Sequence, residues 1–164
     1  MRAYAAEKGL FDNCCKAHHS AAVYSDDFDR QVDMGIREKL SKEDGWIIES
    51  WLSGFMGQNV PNTLKILVIC SDDSVRIDRI VNRDEINVLE AKKNALTRYD
   101  ENLAKWQRMY AKEWKKWLVE TGKVKAADPI DFWRHDLYDL VIDTYSHNQK
   151  ETLKLALDAI KKKK

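Results

Sequence analysis

Glycine and proline are both scarce, with six and two among 164 residues. The glycines stand at positions 9, 35, 45, 54, 57 and 122. None opens a loop of the form GxxxxGK[ST], which needs glycines for close backbone approach and a lysine for the β/γ-phosphates. Gly122-Lys123 is followed by Val124, and position 117 is Trp. These residues therefore hold no phosphate cradle of that type. No apolar run approaches the roughly 20 residues that span a bilayer, so no transmembrane helix is expected. Cysteine is also sparse. Cys14 and Cys15 are adjacent and Cys70 stands apart, which is no disulfide framework and suits a reducing compartment. "MRAYAAEKGL" lacks a signal-peptide apolar core, so a cytoplasmic home and no membrane partner are expected. The net charge is +1, too small for a binder held on nucleic acid by charge alone, even with the basic end "IKKKK". No internal repeat or low-complexity linker is present.

What is present reads as one globular domain with a substantial core. The chain is 44% apolar and 34% charged, against general disorder. Residues 2 to 10 look helical, stopped by Gly9. Ser25 to Asp27 is a helix-start signal, and Phe28, Val32, Ile36 and Leu40 form a stripe that predicts a helix to about Lys42. "WIIES", 46 to 50, reads as a strand following Gly45. "LKILVIC", 64 to 70, is the clearest buried strand. Ser71-Asp72-Asp73 can cap a helix over 72 to 83. "YDLVIDT", 138 to 144, is a third strand, with a helix from about Gln149 to Ile160. Continuous apolar strands separated by helices predict a parallel α/β sheet covered on both faces. Residues 86 to 120 hold no Gly or Pro and read as one long helix. Its greasy stripe is Leu89, Leu96, Tyr99, Leu103, Trp106, Tyr110 and Trp117, and Arg98, Lys105 and Lys112 repeat on a basic face.

Parallel α/β sheets bind ligands outside the carboxyl ends of their strands. Three polar ends are candidates: Glu49-Ser50-Trp51, Ser71-Asp72-Asp73 and Asp143-Thr144-Tyr145. Loop polarity alone accounts for them equally well. Arg76, Arg79 and Arg83 share one helix face. Guanidinium groups suit phosphate oxygens through paired hydrogen bonds, although a solvated face with ion pairs is the plainer account. In "CCKAHH", Cys14/His18 and Cys15/His19 are helical i, i+4 pairs. They lie on adjacent faces and do not converge on one point, so no metal is assigned. Asp26, Asp27, Asp29 and Asp33 read first as an N-cap and a solvated face.

In their order, these pieces resemble the cytidylate kinase family, within the P-loop nucleoside monophosphate kinases, over nearly the whole chain. "DDFDRQVDMGIREKL" is similar to that family's D-R-x-x-D helix, here Asp29, Arg30 and Asp33. "WIIESWLSGFMG" is similar to its E-G-R-L-A-G-x-M strand and loop. "LKILVICSDDSVRIDRIVNRDE" is similar to a strand and helix ending R-I-x-x-R-[DE]. "EAKKNALTRYDENLAKWQRMY" resembles the lid, with R-x-x-x-x-x-x-R-Y. "YDLVIDTYSHNQKETLKLALDAI" resembles the closing strand and helix. "MRAYAAEKGL" resembles the helix that follows the family's phosphate loop and second strand.

The resemblance implies a single domain over 1–164 with a P-loop-kinase-like sheet and a long helical lid at about 84–125. It also implies phosphoryl transfer from ATP, with Mg²⁺, to CMP or dCMP. Arg83, Arg98 and Lys105 would be the catalytic phosphate contacts. Asp29, Arg30, Asp33, Glu49, Trp51, Gly54 and Arg79 would meet the acceptor nucleotide. Thr144, Tyr145, Ser146 and His147 would lie at the adenine edge of the donor. Three departures predict little or no kinase activity. The first strand and its phosphate loop are missing, Trp51 stands in an arginine's place, and Lys105 replaces an arginine and loses its fork. An N-terminally incomplete form of a longer kinase is the expected origin. The alternative is a non-catalytic interaction domain that forms a homodimer through helix 86–120.

Overall fold

A computed structural model of the chain describes residues 24–163. The first expected helix and the Cys14, Cys15, His18 and His19 group lie outside these residues. Helix α1 spans Asp26–Lys42. Ser25 caps it, its side chain accepting from the Phe28 amide at 3.2 Å. Three aspartates occupy its first turn, where the helix dipole favours negative charge. The short helix α2 is Ser53–Met56. Strand β1, Ile66–Ile69, leads into α3, Asp73–Asp84, whose cap is Asp72 accepting from the Val75 amide.

Asn87 caps the long helix α4, Val88–Trp114, which departs from helical backbone angles at Tyr110. A π-helical turn, Lys115–Val119, continues it. After a 3-10 turn at His135–Leu137 come β2, Leu140–Asp143, and α5, Gln149–Lys163.

The architecture is a helix-rich α/β fold with a small parallel sheet. β1 and β2 pair in parallel, with Ile66 opposite Leu140 and Ile69 opposite Asp143. Among the described residues the sheet has these two strands only. The expected strand over 46 to 50 does not form. Trp46 instead turns back on α1: its indole donates to Glu43 at 2.6 Å, and the Lys39 ammonium lies 3.6 Å from its ring centre. Ile47 is 89% exposed. An apolar run becomes a strand only where a ladder partner exists, and no described strand offers one here.

The core lies away from the sheet. Phe55, fully buried on α2, sits among Tyr110, Trp114, Trp117 and Phe132, with ring centres 4.8 to 6.3 Å away. Leu52, Met56, Trp106, Leu118 and Leu137 extend this cluster. Arg37 of α1 donates to the carbonyls of Met56 and Gln58, and its guanidinium lies 3.9 Å over the Trp117 ring. It thereby satisfies carbonyls that the end of α2 leaves open. Among the described residues, no helix is long and apolar enough to cross a membrane.

Candidate functional site

The sequence candidates fall into three places. The first is the seam between α1 and α4. Asp26, Asp29 and Asp33 are spaced i, i+3, i+7, so they share one helix face. Lys105, only 6% exposed, donates to Asp29 at 2.8 Å and to the Tyr24 carbonyl at 2.7 Å. Arg108 pairs with Asp26 at 2.7 Å. The Tyr110 hydroxyl donates to the buried Asp33 carboxylate at 2.8 Å. Arg30 donates to the Met109 carbonyl and to Glu113.

Burial pushes the Asp33 carboxyl up to about 6, the Tyr110 hydrogen bond only partly opposing it. Burial also raises the Tyr110 phenol, with the Asp33 charge adding to it, so this group stays a donor. Burial acts upward on Glu113 as well and is the largest single influence, but the Arg30 hydrogen bond, a backbone amide and the Arg30 and Lys112 charges together outweigh it and hold the carboxyl below its usual range. Beside the seam opens a cleft of about 400 Å³ lined by Asp27, Arg30, Arg108, Lys112 and Glu113 among others. Lys105 is therefore not part of an exposed basic face on α4. Its charge is neutralised by α1.

The second place is the loop leading into α2. Trp51, 36% exposed, meets the rings of Trp106 and Trp133 edge-on at 5.6 and 5.7 Å. The Arg98 guanidinium lies 4.9 Å over its face, a cation–π contact. The Trp133 indole donates to the Trp51 carbonyl at 2.9 Å. Gly54 lies against Tyr138, and a Cβ there would stand 2.3 Å from the ring carbon Cε1. Its lack of a side chain is what lets Tyr138 pack on α2. Glu49 is exposed to solvent.

The third place is the carboxyl end of the sheet. Asp143 accepts from the Ser71 amide at 3.0 Å, from the Ser71 hydroxyl, and from the Tyr145 amide at 3.0 Å. The Ser71 hydroxyl bond comes first among the contacts that hold this carboxyl below its usual value. Arg79 donates to both the side-chain and carbonyl oxygens of Thr144 at 2.8 Å. The His147 ring nitrogen Nδ1 is 3.0 Å from the Asp143 carbonyl. Tyr145 is 56% exposed, and Ser146 is exposed beside it.

Asp29, Arg30, Asp33 and Lys105 thus come together at the first place. Trp51 and Arg98 meet at the second, and Arg79 joins Thr144 at the third. Arg83 stands apart, its guanidinium fork closed on the Asp84 carboxylate at 2.7 Å. Tyr110, Glu113, Arg108 and Trp133 were not singled out as site residues from the sequence. The acidic i, i+3, i+7 stripe on α1 was the available signal for Arg108. Its counter-charges had to lie on another element, and α4 carries bases at 105 and 108.

Gly45 and Gly122, the described glycines with positive φ, do not follow β1 or β2, where backbone amides would cradle an anion.

No protein-family model matches the chain, and no solved structure does. Curated cytidylate kinases do resemble it. That of Methanosarcina barkeri (strain Fusaro / DSM 804) is 29% identical over 140 residues, covering 80% of this chain and 65% of its own length. That of Methanosarcina acetivorans is 30% identical over 135 residues, again covering 80% of this chain and 65% of its own. The Archaeoglobus fulgidus protein is 28% identical, covering all of this chain and 78% of its own length. The chain thus spans just under two thirds of the Methanosarcina relatives. Across most of its length, it has a cytidylate kinase-like relationship.

Proposed function

We propose that this polypeptide carries the acceptor-side and lid portions of a nucleoside monophosphate kinase-like protein, with a CMP-like nucleotide as ligand. The observation that carries this reading is the similarity to several cytidylate kinases over 80 to 100% of the chain. The loop from Glu49 to Gly54 and Arg30 of α1 form the acceptor surface, with Asp29 and the buried Asp33 behind it in the α1–α4 seam. Arg98 of α4 is a cation held over Trp51, the loop position that resembles an arginine of the family. Residues 84 to 125 form the lid of a single domain.

In the established chemistry of such kinases, ATP with Mg²⁺ supplies the phosphoryl group, and the protein positions it and spreads its charge. Among the described residues, the cations assigned to the donor phosphates are already engaged. Arg83 is closed on Asp84 and Lys105 on Asp29, so neither cation approaches a phosphate without first giving up a carboxylate. We therefore propose that the chain binds a CMP-like ligand and turns over ATP and CMP slowly or not at all. A cytoplasmic location goes with this proposal.

Calorimetric titration with CMP, dCMP, AMP and UMP tests the ligand, and a coupled assay with ATP, Mg²⁺ and CMP tests turnover. Selective CMP binding with Arg98→Ala and Asp29→Ala each weakening it is the expected result. Equal, negligible affinity for all four nucleotides would sink the acceptor assignment. Turnover at rates usual for kinases, about 1–100 per second, would sink the inactivity.

A second reading, a protein-interaction module, is favoured by one feature: the bare apolar half of α4.

A further inference from the structure

The stripe on α4 follows one heptad register, interrupted at Lys92, and has two fates. Trp106, Tyr110 and Trp114, in its C-terminal half, are buried under α2 and the segment around Phe132. In the N-terminal half Leu89 is 81%, Leu96 62% and Tyr99 42% exposed. Tyr99 marks the boundary, because its ring still meets Trp133 at 5.4 Å. Such a run of exposed leucine and tyrosine on one helix face differs from scattered surface apolar residues, and it marks an interaction surface.

The charges beside this seam choose the occupant. With Leu89, Leu96 and Leu103 at the first core position of successive heptads, Lys92 and Tyr99 fall at the second. Lys93 and Asp100 are then the flanking residues on one side, and both are exposed. They stand seven residues apart on one helix, about 10 Å, too far to pair with each other. On the other flank, Ala95 and Asn102 are uncharged.

A parallel second helix would set the charged flank against this neutral one and leave both charges unmatched. In an antiparallel helix about a two-fold axis, the charged flank faces itself. Leu96 then lies opposite Tyr99 of the second copy, and Lys93 lies opposite Asp100 of the second copy. The two-fold repeats each contact.

We infer that the N-terminal half of α4 is a self-association surface on which a second copy of this chain packs antiparallel, with Leu96 and Tyr99 at its centre and Lys93–Asp100 pairs across it. Leu96 and Tyr99 flank Arg98 on the lid helix, so self-association is read on the nucleotide-free chain, where its outcome is distinct from that of nucleotide binding.

Sedimentation equilibrium of the full chain across micromolar concentrations tests it. The expected species has twice the 19.2 kDa chain mass. Leu96→Glu is expected to return the chain to monomer with an unchanged circular dichroism spectrum, since that side chain is already mostly in water. Lys93→Glu and Asp100→Lys each place like charges opposite one another twice and weaken the dimer roughly tenfold. Combining the two changes restores it.

A monomeric wild-type chain overturns the proposal, and so does a dimer that survives Leu96→Glu. A double variant no tighter than the single ones overturns the antiparallel register. If the wild-type chain is monomeric while the Leu89–Tyr99 amides exchange slowly, the face is covered from within its own chain, and the proposal again fails.

Discussion

Replacing Asp33 with asparagine separates the electrostatic cost of the α1–α4 seam from its packing. Asp33 is 7% exposed. Its carboxylate accepts from Tyr110, with Lys105 attracting it and Asp29 repelling it, and burial outweighs the favourable contacts. The folded value is about 6 against an ordinary 3.8.

A carboxyl raised on folding binds its proton more tightly in the native state. Ionising it therefore weakens the fold. The loss is absent below about pH 4, grows between 3.8 and about 6, and is complete above that. At 1.36 kcal/mol per tenfold, it amounts to about 3 kcal/mol at neutral pH. An asparagine side chain has the same size as the aspartate it replaces but no charge, so Asp33→Asn removes the pH-dependent part. It keeps an oxygen for the Tyr110 hydroxyl and leaves an amide N–H₂ to be satisfied, at about 1 kcal/mol.

Guanidinium unfolding of both proteins across pH measures this. At about pH 4 the variant is expected to be the less stable by about 1 kcal/mol. By about pH 7.5 the order reverses, and the variant leads by about 2 kcal/mol. A stability difference that stays flat across this range would refute the reasoning. It would mean that the Tyr110 and Lys105 contacts fully compensate the burial of the charge.

Gly54→Ala places a Cβ 2.3 Å from Tyr138, whose hydroxyl is anchored to the Phe132 carbonyl at 2.8 Å. A loss of about 1–3 kcal/mol in thermal or denaturant unfolding is expected, and an unchanged midpoint would contradict the close approach. Phe55→Ala empties the centre of the aromatic core and is expected to cost about 3–5 kcal/mol, enough to threaten the fold at room temperature. Trp51→Arg gives up edge contacts with Trp106 and Trp133 and adds a second cation beside Arg98. It is expected to lower stability yet tighten CMP binding by calorimetry. A folded variant with unchanged affinity would remove the loop from the acceptor surface.

Several elements were legible because their causes are local. The caps at Ser25 and Asp72 stood in the sequence beside the stripes they begin. β1 and β2 were apolar runs at the expected places, each shorter at both ends than the expected 64–70 and 138–144. The long helix was visible as a stretch without breakers, and its start at Val88, capped by Asn87, lay two residues from the expected boundary. The strand over 46 to 50 failed for the opposite reason. A strand is defined by its neighbour, and Trp46-Ile47-Ile48 looks the same with or without one. The kink at Tyr110 and the π turn after Trp114 carry no glycine or proline signal. They occur inside the buried part of the helix, where Trp106, Tyr110, Trp114 and Trp117 pack into the aromatic core.

Lys105 was assigned a basic face because its seven-residue spacing from Arg98 and Lys112 is real. What the spacing cannot show is that Asp29, far away in sequence, closes over it. Of the candidate site, the residue types on each element were readable. Their distribution over three places was not, because it depends on the α1–α4 seam and on the pairing of β1 with β2.

That pairing has a further consequence in time. Four residues of β1 find four of β2 across more than 70 intervening positions. So short a parallel ladder closes too long a loop to form early or to persist by itself. The aromatic core between α2 and α4 has to assemble first and shorten the search. The Asp143–Ser71 and Arg79–Thr144 contacts, at the ladder's carboxyl end, are then the last to form on folding and the first to open. Amide exchange should show this as fast exchange at residues 66–69 and 140–144 while Tyr110 and Trp114 remain protected. The sheet end is thus expected to be the least stable part of the described structure, carried by a helical core that can assemble without it.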